Sequence, residues 1–307
     1  METHRPRSKS SIQLLAIAVA IVSLLVARPA RPAPTTAFEP FGPGASEDLG
    51  ASEGYNTAPG ASEGYNTAWS GWIDVADAHV AFRSVAATFT VPAVTCSAPG
   101  AGVGLWVGMD GYPHGNPTIE QVGVGANCVQ SVVNGTYPTY FAWYQMGPGL
   151  PVLRRAVAPG DVITASVSYD GSARRYDLDL TDAGRPGADI RASLPCPPTA
   201  TCHDSSAEVI AEDPDGGYSD GISLANFGVA DFRHVAVTSA EGTAGTLAAT
   251  ASWHVQGEAV VNASDNVVAQ PSGPADGSTA FSVAFTPDLV LVSARPFLPA
   301  EQPKHQP

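Results

Sequence analysis

The residue types able to do acid–base chemistry gather in three short segments: Leu105-Trp-Val-Gly-Met-Asp110, Thr118-Ile-Glu-Gln-Val122 and Ser206-Ala-Glu-Val-Ile-Ala-Glu212. Read as strands, their side chains alternate between two faces. Trp106 and Asp110 then lie opposite Leu105, Val107 and Met109. Gln121 shares a face with Ile119, Glu120 points the other way, and Glu208, Ile210 and Glu212 fall together. Taken singly, each segment reads as a sandwich strand with its polar side in water. Taken together, and with Trp143, they could supply a Glu, a Gln amide, an Asp and two tryptophans, Trp106 and Trp143, to one concave surface. A carboxylate can activate water and an amide N–H can steady an oxyanion.

Other motifs point elsewhere and fail on context. GxSxG occurs at 50–54 and 60–64, nominating Ser52 or Ser62, but that motif has meaning only between a strand and a helix. The run from Asp213 to Asp220 lacks the spacing and closing Glu of a calcium loop and reads as a solvated turn. Asp-Thr-Gly, Asp-Ser-Gly, HExxH and CxxC are all absent, and His203 is the only histidine near the later cysteines. No metal or other cofactor is expected.

The elements that must position these residues read as strands. Val85, Ala87, Phe89 and Val91 alternate with Ala86, Thr88 and Thr90, and Tyr176, Leu178 and Leu180 with Asp177, Asp179 and Thr181. Phe281, Val283 and Phe285 do the same with Ser282, Ala284 and Thr286. Further strands are expected at 162–169, 207–213, 226–238 and 247–256, with a last apolar one at 289–294. No stretch sustains a helical apolar period with caps at both ends, so the chain reads as an all-β antiparallel β-sandwich over 69–295.

Ahead of this domain, residues 1–33 read as a secretory signal. Arg5, Arg7 and Lys9 precede an apolar run from Ile12 to Ala27, then small residues and prolines. Residues 34–68 are rich in Pro, Gly, Ser and Ala and carry GASEGYNTA at 50–58 and again at 60–68. This segment cannot fold alone and is expected to be a propeptide or flexible leader. The tail 296–307 is Pro- and Gln-rich and expected to fray.

Charge and cysteines agree with export. Of 29 acidic and 15 basic residues, one and five fall in the first 33, leaving a net of about −18 on the rest. Lysine is absent from Ser10 to Gln302, which argues against nucleic acid and anionic membrane as partners. An acidic, lysine-poor surface gains little net positive charge at low pH. Cys96, Cys128, Cys196 and Cys202 allow three pairings, and sequence order favours Cys96–Cys128 with Cys196–Cys202.

Six segments, in order, resemble the motifs of the glutamic peptidases, the eqolisin family. They are Trp106-Val-Gly-Met-Asp-Gly111, Glu120-Gln-Val-Gly123, Ala142-Trp-Tyr144, Pro159-Gly-Asp-Val-Ile163, Ser206-Ala-Glu-Val-Ile-Ala-Glu212 and Ala225-Asn-Phe-Gly228. Trp69-Ser-Gly-Trp72 and Ala87-Thr-Phe-Thr-Val-Pro92 also look like that family's first strands. The resemblance implies a double-sheet, lectin-like (concanavalin A-like) sandwich and a secreted, metal-independent endopeptidase that cleaves proteins at acid pH. It places the catalytic pair on Gln121 and Glu208, with Trp106, Asp110, Trp143 and Tyr144 supporting or contacting substrate. Two positions depart from the pattern: Val209 stands where the family usually has Trp, and Gln145 where it has a carboxylate. A Glu near its reference pKa of about 4.3 would suit acid conditions. The expected substrates are proteins or peptides, and the chain is expected to act as an extracellular monomer.

Two other readings compete. A carbohydrate-binding sandwich would use the same aromatic residues but needs no Gln and Glu pair. A two-carboxylate glycosidase would need Glu120 or Glu212 about 5–9 Å from Glu208, which the phase of Glu120 opposes.

Overall fold

The computed structural model describes residues 61–77, 80–112, 118–154, 157–185, 187, 189–214 and 224–289. The expected signal peptide, the first part of the leader and the tail lie outside them, as do Ser52 and most of the Asp213–Asp220 turn.

Sixteen strands and no helix occur among the described residues. The first eight are β1 (Ala61–Asn66), β2 (Trp69–Ala76), β3 (Phe82–Thr90), β4 (Gly102–Asp110), β5 (Ile119–Ser131), β6 (Gly135–Met146), β7 (Val152–Leu153) and β8 (Val162–Asp170). They are followed by β9 (Arg175–Asp182), β10 (Ile190–Leu194), β11 (Ser206–Glu212), β12 (Val229–Ser239), β13 (Ala244–Gly245), β14 (Trp253–Val261), β15 (Val267–Pro271) and β16 (Phe281–Leu289). Pairing runs in the order β10-β9-β8-β3-β12-β16-β15-β14-β2-β11-β4-β5-β6-β7. The path folds over at β15, so two antiparallel layers face each other.

Period-two patterning explains the core between the layers. Val107, Val122, Val124 and Val209 enter it from one side, and Val85, Ala87, Val167, Leu178 and Leu180 from the other, all buried. Along β9 the buried Tyr176, Leu178 and Leu180 alternate with more exposed Asp177, Asp179 and Thr181, as the sequence pattern requires. Of two disulfides, Cys96–Cys128 ties the segment between β3 and β4 to β5, and Cys196–Cys202 closes the loop ahead of β11.

Two segments differ from expectation. The strand read at 247–256 instead spans Trp253–Val261. Its start is delayed by the Thr250 hydroxyl, which accepts from the Ser252 and Trp253 amides at 3.0 and 3.2 Å and holds a turn there. The second repeat copy, read as part of the leader, supplies β1, which pairs in parallel with β14. A segment too polar to fold alone is ordered by borrowing an existing sheet edge. Tyr65 is buried with Ala259, Val261 and Val267. The Asn66 side chain donates to Glu258 Oε2 (2.8 Å) and to the Trp69 carbonyl (3.0 Å). Its Oδ1 accepts from the amides of Ala68 (2.8 Å) and Trp69 (2.6 Å).

Because one of these bonds serves a buried carboxylate, Asn66→Ala is expected to cost about 2 kcal/mol. Urea denaturation in acid buffer measures it, and an unchanged midpoint would show that β1 adds nothing to the domain.

Candidate active site

The site is laid out by strand register. Across β11, β4, β5 and β6, Glu208 lies opposite Gly108, Gly108 opposite Gln121, and Gln121 opposite Gln145. The intervening residues Val209, Val107, Val122 and Tyr144 belong to the inter-layer core, so the row faces the other way. Glu208 and Gln121 are thus two strand spacings apart, about 9–10 Å between Cα atoms. Gly108 puts no side chain between them.

A neighbouring row holds Ile210, Trp106, Gly123 and Trp143 in the same register. Glycine is required in both rows. A Cβ at Gly108 would stand 2.8 Å from Trp106 Cζ3 and 3.2 Å from the Glu120 carbonyl, and one at Gly123 2.2 Å from the Leu105 carbonyl. The Trp106 ring therefore lies down beside Gly108 as the wall of the cleft. Glu212 fixes it: the Trp106 indole N–H donates to Glu212 Oε2 at 2.9 Å and that of Trp69 to Oε1 at 3.1 Å. The two rings meet edge to face, 5.1 Å between centroids.

Gln121 and Glu208 are both wholly shielded from solvent. Gln121 Nε2 donates to Gln145 Oε1 at 2.9 Å, and Gln145 Nε2 to the Gly149 carbonyl at 2.8 Å. Gln121 Oε1 and both Glu208 oxygens have no partner in hydrogen-bonding geometry. The Glu208 oxygens are thus left to accept from a water, whereas a substrate carbonyl, itself an acceptor, can be met only by the second N–H of Gln121 Nε2.

Burial dominates the electrostatics. It pushes Glu208 well above the usual carboxylate range, with the Ser206 hydroxyl opposing the rise and Asp110 and Asp74 adding to it. A Glu near its reference value would suit acid conditions, but the strand face that aligns Glu208 also removes it from water. Burial lifts Glu212 to about 8 against the two indole donors, and it raises Asp74, whose two oxygens lack partners in the core.

A third acidic group sits at the end of β4. One carboxylate oxygen each from Asp110, Glu120 and Asp204 lies within 4.8 Å of the others. Glu120 is raised by burial first, then by Asp110, Asp204 and Glu208, and Asp204 reaches about 6, mainly by burial. These three are the carboxylates among the described residues placed to share a cation. The oxygens of Asp110, however, are already engaged. Oδ2 accepts from the amides of His203 (2.7 Å) and Asp204 (3.0 Å), and Oδ1 from the amide (2.9 Å) and hydroxyl (3.0 Å) of Ser205. Asp110 adopts φ 62°, and its carboxylate ties the loop entering β11 to the end of β4.

The structure thus brings Gln121, Glu208, Trp106 and Trp143 onto one face. Asp110 braces that face from the loop at its end. Tyr144 is not among them: it is a core residue whose hydroxyl accepts from Arg154 at 3.0 Å. Alternation from Trp143 sends Tyr144 inward and brings Gln145 out. Gln145, Glu212 and Gly108 were not singled out as parts of the machinery, although the phases of Trp143 and Glu208 carry the first two onto the face.

An antiparallel double-layer sandwich with a carboxylate and an amide facing each other over a bare glycine defines a hydrolase-type cleft. The sequence model of the peptidase A4 family matches residues 67–272, so the chain belongs to that family and is a glutamic-type acid endopeptidase. No curated protein matches the chain. Among solved structures it is similar to scytalido-glutamic peptidase with a transition-state analogue inhibitor, at 23% identity, 72% of this chain, 98% of that one and a TM-score of 0.56. A second is SCP-B of the eqolisin family in complex with the tripeptide Ala-Ile-His, at 23% identity, with the same coverage and a TM-score of 0.53. At this identity the likeness shows the shared fold.

Two outcomes follow from the geometry. Gly108→Ala places a methyl in the gap and against the Trp106 ring, and it is expected to lower kcat/KM by at least about tenfold at a stability cost of about 1–3 kcal/mol. Wild-type kcat/KM in that variant would show that the gap is not used. Second, Asp204, Glu212, Glu120, Glu208 and Asp74 all bind protons more tightly folded than unfolded. Their contribution is therefore fully present below the unfolded values of about 3.9 for Asp and about 4.3 for Glu and is lost as pH rises, through about 6 for Asp204 and about 8 for Glu212. Thermal midpoints should fall steadily from about pH 4 to pH 8; a rise over that range would contradict the burial of these groups.

Proposed function

We propose that Glu208 and Gln121 are the catalytic pair of this peptidase and that it works outside the cell, in acid, as a monomer on protein or peptide chains. The supporting observation is the row Glu208–Gly108–Gln121, which puts the two functional residues on one face on either side of a position without a side chain, with both Glu208 oxygens unpartnered. Export is supported by the basic and apolar N-terminal pattern, the acidic lysine-poor composition and the two disulfides. That composition likewise argues against nucleic acid and membrane partners.

In this reading a water lies between Glu208 and the scissile carbonyl. Its oxygen bonds to the carbonyl carbon while Glu208 takes its proton, and the carbonyl oxygen, now an oxyanion, is held by the free N–H of the Gln121 amide. Glu208 then gives that proton to the amide nitrogen. The C–N bond breaks, and a carboxylic acid and an amine leave. Burial favours the neutral form of Glu208, so the ionised base is the scarcer species in acid. The same burial makes the second step, proton donation, favourable. Trp106, held by Glu212, and Trp143 shape the wall. A carbohydrate-binding reading has less support, since a sugar-stacking face has no need of the Glu208 and Gln121 pair. A glycosidase pair is equally weak: Glu120 faces away from the Gln121 row, and both Glu212 oxygens are used by indoles.

The test compares wild type with Glu208→Gln and Gln121→Ala on casein at about pH 3.5 and at pH 7, on either side of the reference Glu pKa. Wild type should digest at the lower pH, Glu208→Gln should not, and Gln121→Ala should lose roughly 100-fold in kcat, about 3 kcal/mol of barrier. Digestion by wild type and Glu208→Gln alike, or by neither, would overturn the assignment.

A further inference from the structure

An amide side chain can be turned either way, and only its partners decide which end is the donor. For Gln121 the decision is made two links away. The Gly149 carbonyl can only accept, so the group 2.8 Å from it must be the NH2 of Gln145. Gln145 then offers its carbonyl oxygen, and the group 2.9 Å from that oxygen must be the NH2 of Gln121. Both glutamines are buried, so water does not compete for these bonds. Reversing Gln121 would set two carbonyl oxygens against each other, and reversing Gln145 would do the same at Gly149.

We infer that Gln145 is a positioning residue, which sets the polarity of the Gln121 amide through a relay ending on the Gly149 carbonyl and does so without a titratable group. The inference rests on the peptidase reading of Gln121. An isosteric carboxyl at position 145 would copy the relay only while protonated, donating to Gly149 and accepting from Gln121. Once ionised, it would face the Gly149 carbonyl with no proton to give. The groups bounding it are neutral: Gln121 on β5 and the Gly149 carbonyl beyond β6. The next titratable group along the row is Glu208, past Gly108, and Arg154 is engaged by Tyr144 of the core. The Gln145→Glu variant therefore carries a proton switch that the native chain lacks.

The experiment measures kcat and KM on a peptide substrate, and thermal midpoints, for wild type, Gln145→Glu and Gln145→Met from about pH 3 to pH 6.5, spanning the reference Glu pKa. Gln145→Glu should stay within about twofold of wild type at the acid end. Its kcat relative to wild type should then fall at least about tenfold as pH rises, with KM little changed, and its midpoint should drop below wild type over the same range. Gln145→Met should lose about tenfold in kcat at every pH. A flat Gln145→Glu ratio and midpoint difference across pH would overturn the relay. So would a Gln145→Met enzyme with wild-type kcat, or a Gln145→Glu chain that does not fold even in acid. If wild type itself cleaves nothing, the peptidase reading fails, and the midpoints alone still decide whether the relay has this polarity.

Discussion

Everything about this cleft depends on one position being empty. Two functional side chains on strands that are not neighbours can act on the same water only if the strand between them brings nothing into the gap. Gly108 meets that need, and the Trp106 ring, lying 2.8 Å from where a Cβ would be, makes any other residue a collision. The same strand must keep its register with β11 and β5, since a slip of one residue would turn Glu208 or Gln121 into the core. The Asp110 carboxylate, accepting from three consecutive amides of the 203–205 loop, anchors β11 to the end of β4 where such a slip would begin.

The second organising fact is the number of carboxyl groups removed from water. Asp74, Glu120, Glu208 and Glu212 are almost wholly buried, and no lysine or arginine pairs with them in the described residues. At neutral pH such an arrangement would be costly, because isolated buried anions are poorly tolerated. In acid they are neutral, and the cost of burying them falls. The acidic surface and the acidic interior thus answer to the same condition, one through net charge and the other through desolvation.

Much of this was legible in the residues. Period-two alternation sorted Leu105, Val107 and Met109 from Trp106, and Glu120 from Gln121, before any coordinates, because one face of each strand had to be apolar. Tyr144, which the family resemblance groups with Trp143, lies in the core, because adjacent strand residues point apart. Gln145 was noticed only as a departure from a family pattern. Its partner is a turn carbonyl at Gly149, and no spacing rule announces such a contact. The perturbation of Glu208 was equally hidden, since burial is a property of three strands and not of one. The repeat at 60–68 was judged by its own composition, and that misses what a neighbouring edge can do for a polar segment.

That last feature bears on how the polypeptide withstands its own trade. A protease cleft takes extended chains whose backbone groups are free, and strand β1 is extended but has its main chain committed to β14 from Ala61 to Asn66. Nibbling from the amino end would meet resistance there, where further loss would strip Asn66 from Glu258 and uncover Tyr65. The strand would act as a stop against erosion, written in the second copy of the repeat.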